Sequence, residues 1–191
     1  MMSKRADRKE PGSRKRRRED DQPEEIWQGL ARRLLNRGAR LLEEGKPDEA
    51  ISYLERANEL SAENAAVLIN LGGAYVMAGR HRHAVPVLEE ARDLEPENAM
   101  IWINLGAAYL GNPVLAGEEQ QMRAIKAFER ALELDPAAPN VHYNLGLIFV
   151  DRGETELAVA AFRRALQTNP FDNDAHYWLG KLGAEEEGKG E

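Results

Sequence analysis

The sequence predicts an all-α fold, an α-solenoid of stacked helix–turn–helix repeats closed by a capping helix. Three observations carry that expectation. Gly38, Gly72, Gly106, Gly146 and Gly180 recur at separations of 34, 34, 40 and 34 residues. Ala50, Ala84, Ala124 and Ala158 follow in the second half of each interval, and Pro96, Pro136 and Pro170 close three of them. Charged residues make up 31% of the chain and aromatics 6%, a balance that suits surface-rich helices better than a thick sandwich core. No unit of this length buries its apolar face alone, so stability must come from neighbours stacked on it.

Residues 1–22 read as a basic arm. Lys4, Arg5, Arg8, Lys9 and the run Arg14, Lys15, Arg16, Arg17 and Arg18 stand against Asp7 and Glu10. Over residues 1–18 that is +7 in a chain of net −7, which leaves −14 on residues 19–191. The arm has almost no large apolar side chain, so burial cannot offset its ordering entropy and the composition predicts disorder. Residues 23–64 form the first repeat, with an extended first helix. Pro23, Glu24 and Glu25 suit a helix start, the acids being favourable at its positive end. Ile26 and Trp27 lengthen the apolar stripe by about two turns.

Residues 65–98 form the second repeat. The third, 99–138, is six residues longer, with the insertion around "GNPVLAGEEQQMR". The Asn112–Pro113 step is expected to end its first helix, because Pro disfavours helical geometry in the residue before it. Its second helix is expected to begin near Glu118. The insertion reads either as a tolerated loop extension or as a rim contact for a partner through Val114 and Leu115. Residues 139–172 form the fourth repeat. Residues 173–183 repeat the first half of a unit and stop, as a cap would. Residues 184–191 are an acidic tail with the same expectation of disorder as the arm.

The third unit carries Trp102, Leu105-Gly106, Tyr109, Ala124, Phe128 and Pro136. The second carries Leu68, Leu71-Gly72, Tyr75, Ala84, Leu88 and Pro96, and the fourth His142, Leu145-Gly146, Phe149, Ala158, Phe162 and Pro170. The first is weaker, with Leu34, Arg37-Gly38, Leu41, Ala50, Leu54, and Ala62 where Pro is expected. These residues follow W-x2-L-G-x2-Y, then A-x3-F, then P, and over about residues 25–183 the chain resembles the tetratricopeptide repeat family. The resemblance implies a right-handed solenoid whose first helices line a concave groove and whose second helices form the back.

It also implies which side chains face the groove. Leu35, Ile69, Ile103, Tyr143 and Tyr177 occupy one such position and form an apolar row. Asn36, Asn70, Asn104 and Asn144 follow directly, one per unit. Helix interiors do not favour Asn. An amide both donates and accepts, so it can bond a peptide backbone without reading its side chains. The row is similar to the asparagine ladder of O-linked N-acetylglucosamine transferase repeat domains, which holds an extended peptide. First helices roughly 10 Å apart would give a ladder of roughly 30 Å, about nine extended residues. The competing reading is that each Asn bonds a neighbouring helix. The lysine-rich clamp of co-chaperone repeats is not rebuilt here: its positions hold Leu35, Ala39, Asn70, Met100 and Asn104, of which only Asn70 agrees.

Catalysis finds no support in the sequence. There is no Cys, hence no disulfide, thiolate zinc site or thiol nucleophile. No phosphate loop, nucleophile elbow or metal motif is present, and no cofactor is expected. His81 and His83, in "HRH", read as a solvated turn; His142 and His176 stand where the repeat has Trp and read as packing residues. No apolar run spans a membrane and no secretory signal is visible, so a cytoplasmic location is expected, or a nuclear one in a eukaryote. "SRKRRRED" resembles a nuclear import signal. The arm is equally open to holding a nucleic-acid backbone through Arg14, Lys15, Arg16, Arg17 and Arg18, to lying across the acidic body, or to being a plain disordered terminus. The expected function is a protein–protein interaction adaptor or scaffold binding a partner segment in the groove. The alternative is a nucleic-acid- or ribosome-associated protein anchored by the arm. A third reading is self-association through the groove or the end helices.

Overall fold

The computed structural model describes residues 22–112 and 115–184. The expectations for residues 1–21, for Pro113 and Val114, and for residues 185–191 lie outside the described residues. Among those described there are nine helices and no strand: α1 (Gln22–Glu43), α2 (Pro47–Leu60), α3 (Ala65–Met77), α4 (His81–Leu94), α5 (Ala99–Leu110), α6 (Glu118–Leu134), α7 (Val141–Asp151), α8 (Thr155–Thr168) and α9 (Asn173–Lys181). Each odd-numbered helix up to α7 packs on the even-numbered helix that follows it, and each pair packs on the next, making an α-solenoid. The first helices also meet directly, α1 with α3 and α3 with α5.

Local chemistry fixes the helix ends. Asn64 opens α3 by accepting from the Val67 N–H at 3.3 Å, and Asn98 opens α5 by accepting from Met100 at 3.1 Å. Asp172 opens α9 by accepting from Asp174 and Ala175. Each satisfies amides that the first turn leaves unpaired. Helix α5 ends at Leu110, and its capping residue Gly111 has φ +58°. The stop therefore falls before Asn112, and it is the left-handed glycine that turns the chain there.

The two helix types differ in composition because they differ in surroundings. Helices α3 and α5, "AAVLINLGGAYVM" and "AMIWINLGAAYL", are apolar nearly all round, since they sit between their own second helix and neighbouring units. Inside each unit a glycine faces a large side chain across the pair. A Cβ on Gly38 would come within 2.5 Å of Leu54 Cγ, and one on Gly146 within 2.6 Å of Phe162 Cε1. Ala50, Ala84, Ala124 and Ala158 are fully buried at the same crossings, with Leu54, Leu88, Phe128 and Phe162 filling the space between.

Polar ties repeat with the same period. Tyr75 Oη donates to Glu55 Oε1 at 2.6 Å, and Tyr109 Oη donates to Glu89 Oε1 at 2.8 Å, each reaching back to the second helix of the preceding unit. Burial, aided by the Glu55 carboxylate, pushes the Tyr75 phenol up to about 12. The folded value lies above the ordinary one, near 10, so this group's contribution to stability is complete below pH 10 and is lost as pH rises through 12. Alkaline unfolding is expected to be less steep in this window for Tyr75→Phe than for the native chain. Chemical denaturation at pH 9 and pH 12 checks this.

Some expectations change against the structure. Ile26 and Trp27 continue the stripe of α1 but are 63% and 48% exposed, with no element among the described residues stacked ahead of that helix. "HRH" opens α4 and does not lie in the turn before it. His83 sits against the Tyr75 ring at 5.5 Å, and His81 is half-buried. His176 is exposed and held by a 3.1 Å hydrogen bond between Nε2 and the Pro170 carbonyl, where packing was expected. Trp102 Nε1 donates to the Pro96 carbonyl in the same way at 2.7 Å. At Trp102 and His176 this position thus uses a ring nitrogen to tie a unit to the proline closing the previous one. His142, half-buried, has its pKa lowered by that burial.

Candidate functional site: the row of first helices

The sequence-predicted groove residues all fall on first helices. Leu35 and Asn36 lie in α1, Ile69 and Asn70 in α3, Ile103 and Asn104 in α5, Tyr143 and Asn144 in α7, and Tyr177 in α9. Leu35, Ile69 and Ile103 are half-buried, each packed by one flank on the core. Tyr143 is half-buried with its ring edge-on to Phe162 at 5.7 Å, and burial raises its pKa. Tyr177 is 61% exposed, edge-on to Trp178, with the Lys181 ammonium 5.9 Å from its ring.

The four Asn side chains are not equivalent. Asn70 Nδ2 donates to the Ala66 carbonyl, one turn back in its own helix, at 2.8 Å. That is neither of the two roles the sequence suggests; it leaves Oδ1 and one N–H of the amide unused. Asn36 is exposed and Asn104 and Asn144 are half-buried, and these three amides make no hydrogen bond among the described residues. A Cβ on Gly73 would stand 3.5 Å from Asn104 Nδ2, so the amide of one unit lies over the glycine of the unit before it. The small residue leaves room for the amide without consuming its donors.

Met77 and Met100, at the end of α3 and the start of α5 on the same first helices, are 54% and 45% exposed. Unbranched thioethers adapt to irregular partner surfaces. No cluster of three or more metal-ligating side chains is found among the described residues. No helix among them is long and apolar enough to cross a membrane. The row as built can hydrogen-bond and cover apolar surface.

Comparison with known proteins agrees with this architecture. Family models described as tetratricopeptide repeat match residues 41–85, 65–108, 119–173 and 143–188. The chain belongs to the tetratricopeptide repeat family. No curated protein matches it by sequence. Among solved structures it is similar to MamA 41-end from Desulfovibrio magneticus RS-1, at 25% identity over 81% of this chain and 84% of that one, with a TM-score of 0.66. It is also similar to YrrB, described as a TPR protein with an unusual peptide-binding site, at 23% identity over 79% and 75%, with a TM-score of 0.58. A third similar fold is found in the APC/C hetero-tetramer Cut9–Hcn1, at 22% identity, 78% of this chain, 29% of that one and a TM-score of 0.69. The fold is that of a protein–protein interaction scaffold.

Proposed function

We propose that the array holds an extended segment of a protein partner along its first helices, on the concave side. Asn36, Asn104 and Asn144, with the free half of the Asn70 amide, bond the partner's backbone. Leu35, Ile69, Ile103, Tyr143 and Tyr177 receive its apolar side chains. The observation that supports this most is the set of three amides without a hydrogen bond among the described residues, lying beside a half-buried apolar row. An Asn kept for stability would be expected to spend its amide within the fold, since unpaired polar groups add nothing to it. The scaffold character of the family and the peptide-binding site ascribed to YrrB support the same reading.

The Asn104→Ala/Asn144→Ala double variant tests it. Ala is the better helix former by a few tenths of a kcal/mol per site. The melting temperature is therefore expected to hold or rise slightly. Capture of the partner by the full-length chain is expected to fall about tenfold or more, the equivalent of one or two lost backbone hydrogen bonds. A lowered melting temperature with undiminished capture would make these residues structural.

A further inference from the structure

A second site lies at one edge of the array, away from the Asn row. The turn that joins α3 to α4 and the insertion that joins α5 to α6 border an open cavity of about 540 Å³. One wall exists because of the insertion, which contributes Leu115 and Ala116. That wall is anchored. The buried Gln121 side chain donates to the Ala116 carbonyl at 3.2 Å and to Asp151 Oδ2 at 2.7 Å, and the Gly117 N–H donates to Gln120 Oε1 at 2.7 Å. A loop extension that only needed to be tolerated would not require such fastening.

The charge of the lining opposes that of the molecule. Arg80, His81, Arg82, His83 and Arg123 line the cavity, and no Asp or Glu does. Residues 19–191 carry a net −14. Arg80 leans on Asp48 at 2.7 Å and Arg123 on Glu89 at 3.1 Å, with both carboxylates outside the lining. Arg123 is further held over the Tyr109 ring at 4.0 Å, which fixes its guanidinium at the cavity edge. Arg82 has no ion-pair partner among the described residues. His81 Nδ1 is the buried side-chain polar atom that finds no hydrogen bond among them. A buried polar atom of this kind is open to a donor or acceptor brought into the cavity. Val85, Leu110 and Leu115 supply apolar lining beside the polar Asn112 and Gln120, and Leu115 is 80% exposed.

We propose that this cavity binds an acidic segment of a protein partner in which a carboxylate side chain neighbours an apolar one. The carboxylate meets Arg82 and Arg123, whose planar forks match two oxygens at once. The apolar neighbour covers Leu115 and Val85. The volume admits a few residues and falls within the usual range for a ligand cleft. The site reads side chains, whereas the Asn row reads backbone, so one partner could be held for position by one and chosen by the other.

The test is a nuclear magnetic resonance titration of the full-length chain, following the ring signals of His81 and His83. The probes are acetyl-Ala-Leu-Glu-Glu-Leu-Ala-amide, the same peptide with Gln for Glu, and inorganic phosphate. The expected result is saturable movement of both ring signals with the Glu peptide and about tenfold weaker response to the Gln peptide, the loss of one charge-assisted contact. Arg82→Ala, an exposed residue with no ion pair to break, is expected to weaken the Glu peptide similarly while leaving the melting temperature unchanged. Asn104→Ala is expected to leave this titration untouched, which separates the site from the Asn row. Equal binding of the Gln peptide, unchanged binding in Arg82→Ala, or saturation by phosphate with no response to the Glu peptide would each overturn the proposal.

Discussion

Replacing Phe128 with Ala is expected to destabilise the array by about 3–5 kcal/mol. The ring is fully buried between α5 and α6, in the cluster formed by Leu110, Ala131, Val141 and Leu145. Its removal leaves a void that Ala124 and Ala131 are too small to fill, and the surrounding helices can collapse only in part. Because a repeat array is stabilised unit by unit, the loss concentrates in the third unit and its interfaces. Hydrogen exchange is expected to accelerate most in α5, α6 and α7, with α1 and α2 less affected. A loss below about 1 kcal/mol, or one spread evenly along the chain, would contradict the packing described.

The second large effect runs the other way, through overfilling. Gly106→Val is expected to cost about 3 kcal/mol, the upper part of the range for inserting carbon into a packed core. A Cβ at Gly106 would lie 2.5 Å from Phe128 Cδ1, and the ring has no exposed side toward which to retreat. Gly106→Ala makes the same first clash, but the gain in helix propensity of about 0.8–1 kcal/mol offsets part of it. Adding Phe128→Leu to Gly106→Val is expected to recover part of the loss, and denaturation of the four variants in a double-mutant cycle checks it. Independent, additive costs would mean that the two residues do not meet as described.

The repeat was legible because its causes are periodic. A glycine every 34 residues, or 40 across the longer third unit, and an alanine after it are demanded by the close crossing within each unit, and the chain writes that demand out once per unit. The apolar row and the Asn row were legible for the same reason. Less legible were properties decided by what stands next to a residue in space. Ile26 and Trp27 have the pattern of buried residues, but no element among the described residues stacks on that side to cover them. His176 looked like a shortened Trp, while the feature it shares with Trp102 is a ring nitrogen facing a proline carbonyl. The Asn112–Pro113 step masked Gly111, whose left-handed conformation makes the turn. Asn64 and Asn98 could have been found in advance, since an Asn directly before an apolar helical run is a helix-opening signal. The basic cavity could not, because Arg82 and Leu115 are 33 residues apart and the anchored insertion brings them to the lining of one cavity.

The central claim is that the partner lies along the first helices and not on the back. A photo-crosslinking side chain at Met100, exposed on α5, and one at Lys126, exposed on α6, test it in the full-length chain in lysate of the source cell. The account predicts a discrete crosslinked partner from position 100, competed away by the Asn104→Ala/Asn144→Ala change, and none of that partner from position 126. The same partner crosslinked from position 126 alone, or equally from both, would contradict it.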